Sequence, residues 1–90
     1  MRRDPEYFGD EELDLVYIAK RLRDAKAIEE RFTAAGVDYL VEPDEYRGGF
    51  LFQTVRTGAF FYVLGTVGDA TRVVLTEMGF KPQPLESEPG

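Results

Sequence analysis

Hydrophobic and polar positions follow two different periods along the chain. Residues 13–20 form a short apolar run with β-branched residues at its centre, which is typical of a buried strand. From Asp24, a suitable N-cap, apolar residues recur with helical spacing until Gly36, which can end a helix at positive φ. The apolar face of this predicted helix consists of Ala25, Ile28, Phe32 and Ala35.

The middle of the chain predicts three more strands. Residues 37–42 have apolar side chains at 37, 39 and 41 and acids at 38 and 42, the pattern of a strand with one buried face. Residues 43–49 contain Pro43 and two glycines, so we expect a loop there. Residues 50–56 and 59–64 are predicted to be strands, joined in a hairpin by Thr57 and Gly58.

A second amphipathic helix is predicted after the last strand. It starts near Thr66 or Gly68 and ends at Gly79, and Phe80 is expected to pack back beyond the cap. Residues 32–37 and 75–80 share the order apolar residue, Thr, two residues, Gly, apolar residue. We therefore expect both helices to end in the same way.

The order β-α-β-β-β-α predicts an α+β fold of one domain, residues 13–81. Its connections suit a mainly antiparallel sheet with both helices on one face, which is a plait of ferredoxin-like type. Residues 1–12 are rich in acids and residues 82–90 are rich in Pro and Glu. We expect these ends to be a flexible N-terminus and a disordered tail.

Two of the predicted strands, residues 13–19 and 59–64, are apolar on both faces. If both helices cover one face, a chain of 90 residues has few elements left to cover the other. A large exposed apolar surface usually marks a partner. We therefore predict a homodimer through the open sheet face, with coverage by the terminal segments as the alternative.

The composition removes most catalytic chemistries. The chain has no His and no Cys, and its single Ser, Ser87, lies in the Pro- and Glu-rich tail. These absences exclude an ordinary zinc site, a thiolate nucleophile, an imidazole base and a serine triad. The acids Glu42, Asp44 and Glu45 lack the spacing of a calcium loop. We predict a protein that is not an enzyme, with no cofactor and no metal; an enzyme built on Asp, Glu, Lys or Tyr is the alternative.

Charge and the first residues bear on partners and location. The net charge of −6 argues against binding to a phosphate backbone. The basic run at residues 20–26 is predicted to be solvated surface, with an anion site as the alternative. The N-terminal residues lack the apolar run of a signal peptide or a membrane span, so we expect a cytoplasmic protein.

The segment Asp-Glu-Tyr-Arg-Gly-Gly at residues 44–49 is the most site-like part of the chain. Glycines let backbone N–H groups approach a ligand, and an arginine offers a forked donor to carboxylate or phosphate. We predict that a small anionic ligand or a protein partner binds at Tyr46, Arg47, Gly48 and Gly49. The alternative is an ordinary connection.

The helix that ends at Gly36, the Glu-Tyr-Arg-Gly-Gly segment at 45–49 and the helix that contains Ala70 resemble a known family. It is that of small prokaryotic putative signal-transducing domains, related in fold to PII proteins. The resemblance covers nearly all of residues 13–80, and the aromatic strand at 50–56 departs from it. It implies a PII-like fold and a regulatory or binding module without catalytic residues.

A second resemblance is to RNA-recognition domains. Val-Tyr-Ile at residues 16–18 is similar to their shorter motif, and Arg-Gly-Gly-Phe-Leu-Phe at 47–52 is similar to their longer one. The resemblance implies that Tyr17, Phe50 and Phe52 would stack RNA bases. Single-stranded RNA binding on the sheet is therefore the alternative function.

Overall fold

The computed structural model describes residues 1–48 and 54–85, which form an α+β domain with a three-stranded antiparallel sheet. Residues 49–53, which include Gly49, Phe50 and Phe52, and residues 86–90 lie outside the described residues. A 3-10 turn, Gly65–Val67, precedes the last helix. In chain order the elements are α1 Pro5–Phe8, β1 Leu13–Ala19, α2 Leu22–Ala34, β2 Leu40–Gly48, β3 Thr54–Leu64 and α3 Gly68–Glu77.

The longest strand, β3, lies in the centre of the sheet, in the order β1-β3-β2. Its register with β2 runs without interruption from Gly48 opposite Thr54 to Leu40 opposite Tyr62. Its pairing with β1 has one irregularity, between Leu15 and Tyr17. The described part of the sheet thus has three strands, where the sequence predicted four.

One hydrophobic core lies between the sheet and the two longer helices. Phe61 and Val63 alternate along β3 and therefore point to the same face. Ile28 and Phe32 of α2 and Leu75 of α3 belong to the same buried cluster as these two residues. Both longer helices therefore pack on one face of the sheet, as the sequence predicted.

Both helix ends follow the sequence prediction. Gly36 and Gly79 have φ of 75° and 91°, in the region that glycine adopts without strain. The N–H of Val37 bonds to the carbonyl of Phe32, and the N–H of Phe80 bonds to that of Leu75. These bonds satisfy carbonyl groups that a helix end leaves free. The start of α2 differs from the prediction: Arg21 is the N-cap, and Asp24 lies in the first turn.

The predicted hairpin at Thr57 and Gly58 is wrong, and the predicted loop at 43–49 is wrong over residues 43–48; Gly49 lies outside the described residues. Residues 40–48 are one strand, and Gly58 lies in the middle of β3, opposite Asp44. Pro43 is tolerated because β2 is an edge strand. The solvent side of an edge strand has no neighbouring strand to bond to, so a proline there costs the sheet no hydrogen bond. Pairing with β3 thus outweighs the turn propensity of these residues.

The N-terminal segment lies against the domain, whereas the sequence indicated a flexible end. The N–H of Arg3 bonds to the carbonyl of Tyr39, and the N–H of Gly65 bonds to that of Glu12, so residues 3–12 run from the β2 side to the end of β3. Asp38 accepts hydrogen bonds from Arg3 Nε at 2.9 Å and from the Tyr7 hydroxyl at 3.1 Å. The Arg3 bond contributes most to lowering the pKa of Asp38.

The sheet face opposite the helices carries Leu40, Phe60, Tyr62 and Leu15, as the register shows. Only 6% of Leu40 and 8% of Phe60 is exposed, although neither belongs to the main core cluster. The large apolar side chains that are exposed among the described residues lie elsewhere, for example Leu22 and Val73 on the helices. None of the described helices has the length and apolarity needed to span a bilayer.

Candidate functional site

A groove of about 800 Å³ opens where the end of β1, the start of α2, the far end of β2 and the C-terminal segment meet. We call it the basic groove, and we call residues 81–85 the C-terminal strap. The volume is within the range of about 300–1,000 Å³ that is usual for small-molecule sites. The groove is lined by Tyr17, Ile18, Lys20, Arg21, Asp24, Tyr46, Arg47, Lys81, Pro82, Gln83 and Pro84.

Cations outnumber acids in this groove, although the whole chain carries a net charge of −6. Its four cations, Lys20, Arg21, Arg47 and Lys81, face a single lining carboxylate, that of Asp24. All four are exposed, and none forms an ion pair with another residue of the described ranges. Without ion-pair partners, these positive charges are available to attract a bound anion.

The side chain of Tyr46 extends from β2 across the central strand towards β1. It pairs with Arg56, and its ring lies beside Gly58, two residues further along β3. A Cβ on Gly58 would sit 3.0 Å from Tyr46 Cε1 and 3.0 Å from Ile18 Cγ2. Because Gly58 has no side chain, the Tyr46 ring has room to approach β1 across the central strand.

Lys20 is the cation that Tyr46 meets there. Its Nζ lies 5.2 Å from the centroid of the Tyr46 ring, within cation–π range. The alternation of side chains puts Ile18 on the same face of the sheet as this ring, and Lys20 follows directly after β1. The tyrosine predicted from the sequence as a site residue is therefore paired with a cation from the basic run at 20–26.

Tyr17 lines the other side of the groove and is half-buried. Its ring packs against Phe80 with the centroids 5.3 Å apart, on the side of the helices. Burial, and to a smaller extent the charge of Asp24, raises the pKa of Tyr17, so its hydroxyl remains a neutral donor at physiological pH. The ring does not lie free on the open face, as base stacking would require.

The C-terminal strap forms one wall of the groove, where the sequence indicated a disordered tail from residue 82. The N–H of Gln83 donates to the carbonyl of Val16 at 2.7 Å, and Arg72 Nε donates to the carbonyl of Gln83 at 2.6 Å. The strap thus lies along the outer edge of β1. It brings Lys81 into the groove.

The structure brings together two of the four predicted ligand residues, Tyr46 and Arg47, with cations that the sequence offered only as surface charge. Gly48 lies beside the Tyr46 ring, and Gly49 is outside the described residues. The sequence did not indicate Lys81 as a site residue, because nothing in the Pro-rich residues that follow it indicates that they return to the sheet. Within residues 1–48 and 54–85 no group of three acids is placed to hold a metal ion.

Comparisons with known proteins identified no relative of this chain. No family model matches it, and no curated protein and no solved structure matches it. The geometry of the basic groove therefore has to carry the functional argument.

Proposed function

We propose that this protein is a non-enzymatic regulatory module that binds a small anionic ligand with several negative charges in the basic groove. The observation that carries the proposal is the convergence of Lys20, Arg21, Arg47 and Lys81 on one groove of a chain whose net charge is −6. Such a chain repels anions in general, so a local excess of unpaired cations favours a ligand that bridges them. Arginine forks and lysine ammonium groups suit phosphate and carboxylate groups alike.

The position of the groove supports a regulatory role. A ligand held there would touch β1, α2, β2 and the C-terminal strap at once, and would tie the strap to the sheet. This would convert ligand binding into a change in the order of one chain end, which a protein partner could recognise. The strap lies at the edge of β1, where the last strand of a ferredoxin-like plait would pair, and we propose that type of plait for the domain.

The experiment is a calorimetric titration with sodium tripolyphosphate at low ionic strength. We expect saturable binding to one site that weakens as salt is added, because screening reduces the attraction between exposed charges. Arg47→Ala and Lys81→Ala should each raise Kd by at least about tenfold, since a hydrogen bond to a charged group contributes about 1.5–3 kcal/mol.

The matched control is Lys26→Ala. Lys26 is exposed on α2 and does not line the groove. Its replacement by Ala removes one positive charge, as Arg47→Ala and Lys81→Ala do. Compared with the parent at about 0.15 M salt, where the Debye length is about 8 Å, the Lys26→Ala variant should keep its Kd within about twofold, since Lys26 does not line the groove. Equal weakening by all three substitutions would contradict a specific site.

Single-stranded RNA binding is the alternative function and is tested in the same titration. A short oligouridine replaces tripolyphosphate in a second arm. Binding of the oligonucleotide alone, lost on Phe50→Leu and Phe52→Leu, would favour stacking of bases over the basic groove.

A further inference from the structure

We infer that Tyr46, lodged between Gly48 and Gly58, is a positioning residue that holds Lys20 ready for the anion in the basic groove. The inference rests on the proposed function, since it assigns a role in binding to a residue of that site. Three contacts of the Tyr46 ring support it: one with Gly58 on the central strand, one with Gly48 on its own strand, and one with the ammonium group of Lys20.

The first contact explains a glycine in the middle of the longest strand. A glycine within a strand weakens the strand, because it loses more backbone freedom on folding and offers no side chain to pack. At Gly58 the added Cβ would also lie 3.2 Å from the carbonyl oxygen of Ala19, so the space above this residue is already filled from two sides. The Tyr46 ring fills it diagonally from β2, in the way that aromatic residues cover glycines in sheets.

The second contact restrains the opposite edge of the ring. A Cβ on Gly48 would lie 3.5 Å from Tyr46 Cε2, whereas the one on Gly58 would lie 3.0 Å from Cε1. The ring thus has a glycine at each edge, and these two glycines leave the space that the ring occupies.

The third contact, between the ring and the Lys20 ammonium group, restricts the Lys20 side chain. A lysine side chain has many rotamers, and a ligand that binds a free one has to restrict them at a cost in entropy. With Nζ 5.2 Å from the Tyr46 centroid, part of that restriction exists before the ligand arrives. Arg21, Arg47 and Lys81 have no such ring contact among the described residues, so Lys20 is the cation that this arrangement preorganises.

The test combines a double-mutant cycle with an NMR readout. Tyr46→Leu keeps an apolar side chain over Gly58 but removes the ring, and should weaken tripolyphosphate binding by about two- to fivefold. In a Lys20→Ala background the same substitution should have no further effect, because Tyr46 acts through Lys20. Tyr46→Phe keeps the ring and should keep the affinity.

The structural readout does not depend on the ligand. In the wild-type protein the Lys20 ε-methylene protons should be shifted upfield by the Tyr46 ring current. Tyr46→Phe should keep this shift, and Tyr46→Leu should abolish it. Gly58→Val should abolish it as well, because its side chain occupies the place of the ring.

Two results would overturn the inference. One is an unshifted Lys20 signal in the wild-type protein, and the other is equal weakening by Tyr46→Leu with and without Lys20, which would mean that the ring contacts the anion itself. If the wild-type protein bound no tripolyphosphate, the proposed function would fail, while the NMR comparison would still decide whether Tyr46 positions Lys20.

Discussion

At the scale of single residues, the Arg72 guanidinium joins parts of the chain that are far apart in sequence. Its Nη1 and Nη2 each donate to Asp14 at 2.7 Å, and its Nε donates to the carbonyl of Gln83. The Asp14 side chain is 9% exposed and that of Arg72 is 13% exposed. Hydrogen bonding to Asp14 is the main reason why the pKa of Arg72 is raised. A buried charge needs such pairing to offset its desolvation.

Gly68 is the residue that makes this ion pair possible. A Cβ there would sit 2.1 Å from Asp14 Oδ2, so any side chain would displace the carboxylate. We expect Gly68→Ala to destabilise the protein by about 3 kcal/mol, near the lower end of the range for disrupting a buried pair. The measurement is thermal unfolding followed by circular dichroism, where Tm should fall by about 10 °C or more.

The control for Gly68→Ala is the same change at Gly65, in the preceding turn. There the added Cβ would meet the carbonyl oxygen of Glu12 at 3.5 Å, an ordinary contact. Gly65→Ala should therefore leave Tm within a few degrees of the parent value. If both variants unfolded at the same temperature, the contact with Asp14 would not be the cause.

At the scale of elements, the C-terminal strap is attached to β1 through the main chain of Gln83. Replacing Gln83 with Pro removes the N–H that donates to Val16, whereas Gln83→Ala keeps both main-chain hydrogen bonds. We expect the proline variant alone to loosen the strap, since a net hydrogen bond is worth about 0.5–1.5 kcal/mol. The ¹⁵N heteronuclear NOE of Leu85 should drop in Gln83→Pro.

The same pair of variants reports on the basic groove, because the strap carries Lys81. Gln83→Pro should weaken tripolyphosphate binding by several-fold, within the range that the loss of one such hydrogen bond allows. Gln83→Ala should bind as the parent does. Identical NOE values and affinities in the two variants would show that the main-chain bond of Gln83 does not hold the wall of the groove.

At the scale of the whole molecule, the sheet face opposite the helices is the surface through which the sequence predicted a homodimer. The burial of Phe60 and Leu40 limits the apolar surface that this face offers to a partner. A homodimer through this face stays a prediction. Light scattering should then give twice the chain mass of 10.2 kDa.

Charged substitutions locate the interface. Leu15→Glu adds a charge to the open face and should return the mass to that of one chain, because a charge in an apolar interface is strongly disfavoured. Val73→Glu on α3 adds the same charge to an exposed position on the helix side and should leave the dimer intact. A wild-type protein with the mass of one chain would contradict the dimer.

Features that rest on local physics could be predicted from the amino-acid sequence. Helical spacing and the glycines at 36 and 79 were sufficient to predict the two longer helices and how they end, because a helix closes its hydrogen bonds within one segment. The apolar run of β1 predicted a strand for the same local reason. The composition alone shows that the chain has no imidazole and no thiol group.

Contacts between residues that are distant in sequence could not be predicted and follow from the three-dimensional fold. Pro43 and Gly58 read as turn residues, yet both lie in strands, because ladder bonds between β2 and β3 outweigh local propensity. Arg72 and Asp14, 58 positions apart, pair through the packing of α3 on β1. Lys81 joins the basic groove because β1 has a free edge on which the strap can lie. Such contacts depend on sheet order and register, which no short sequence pattern encodes.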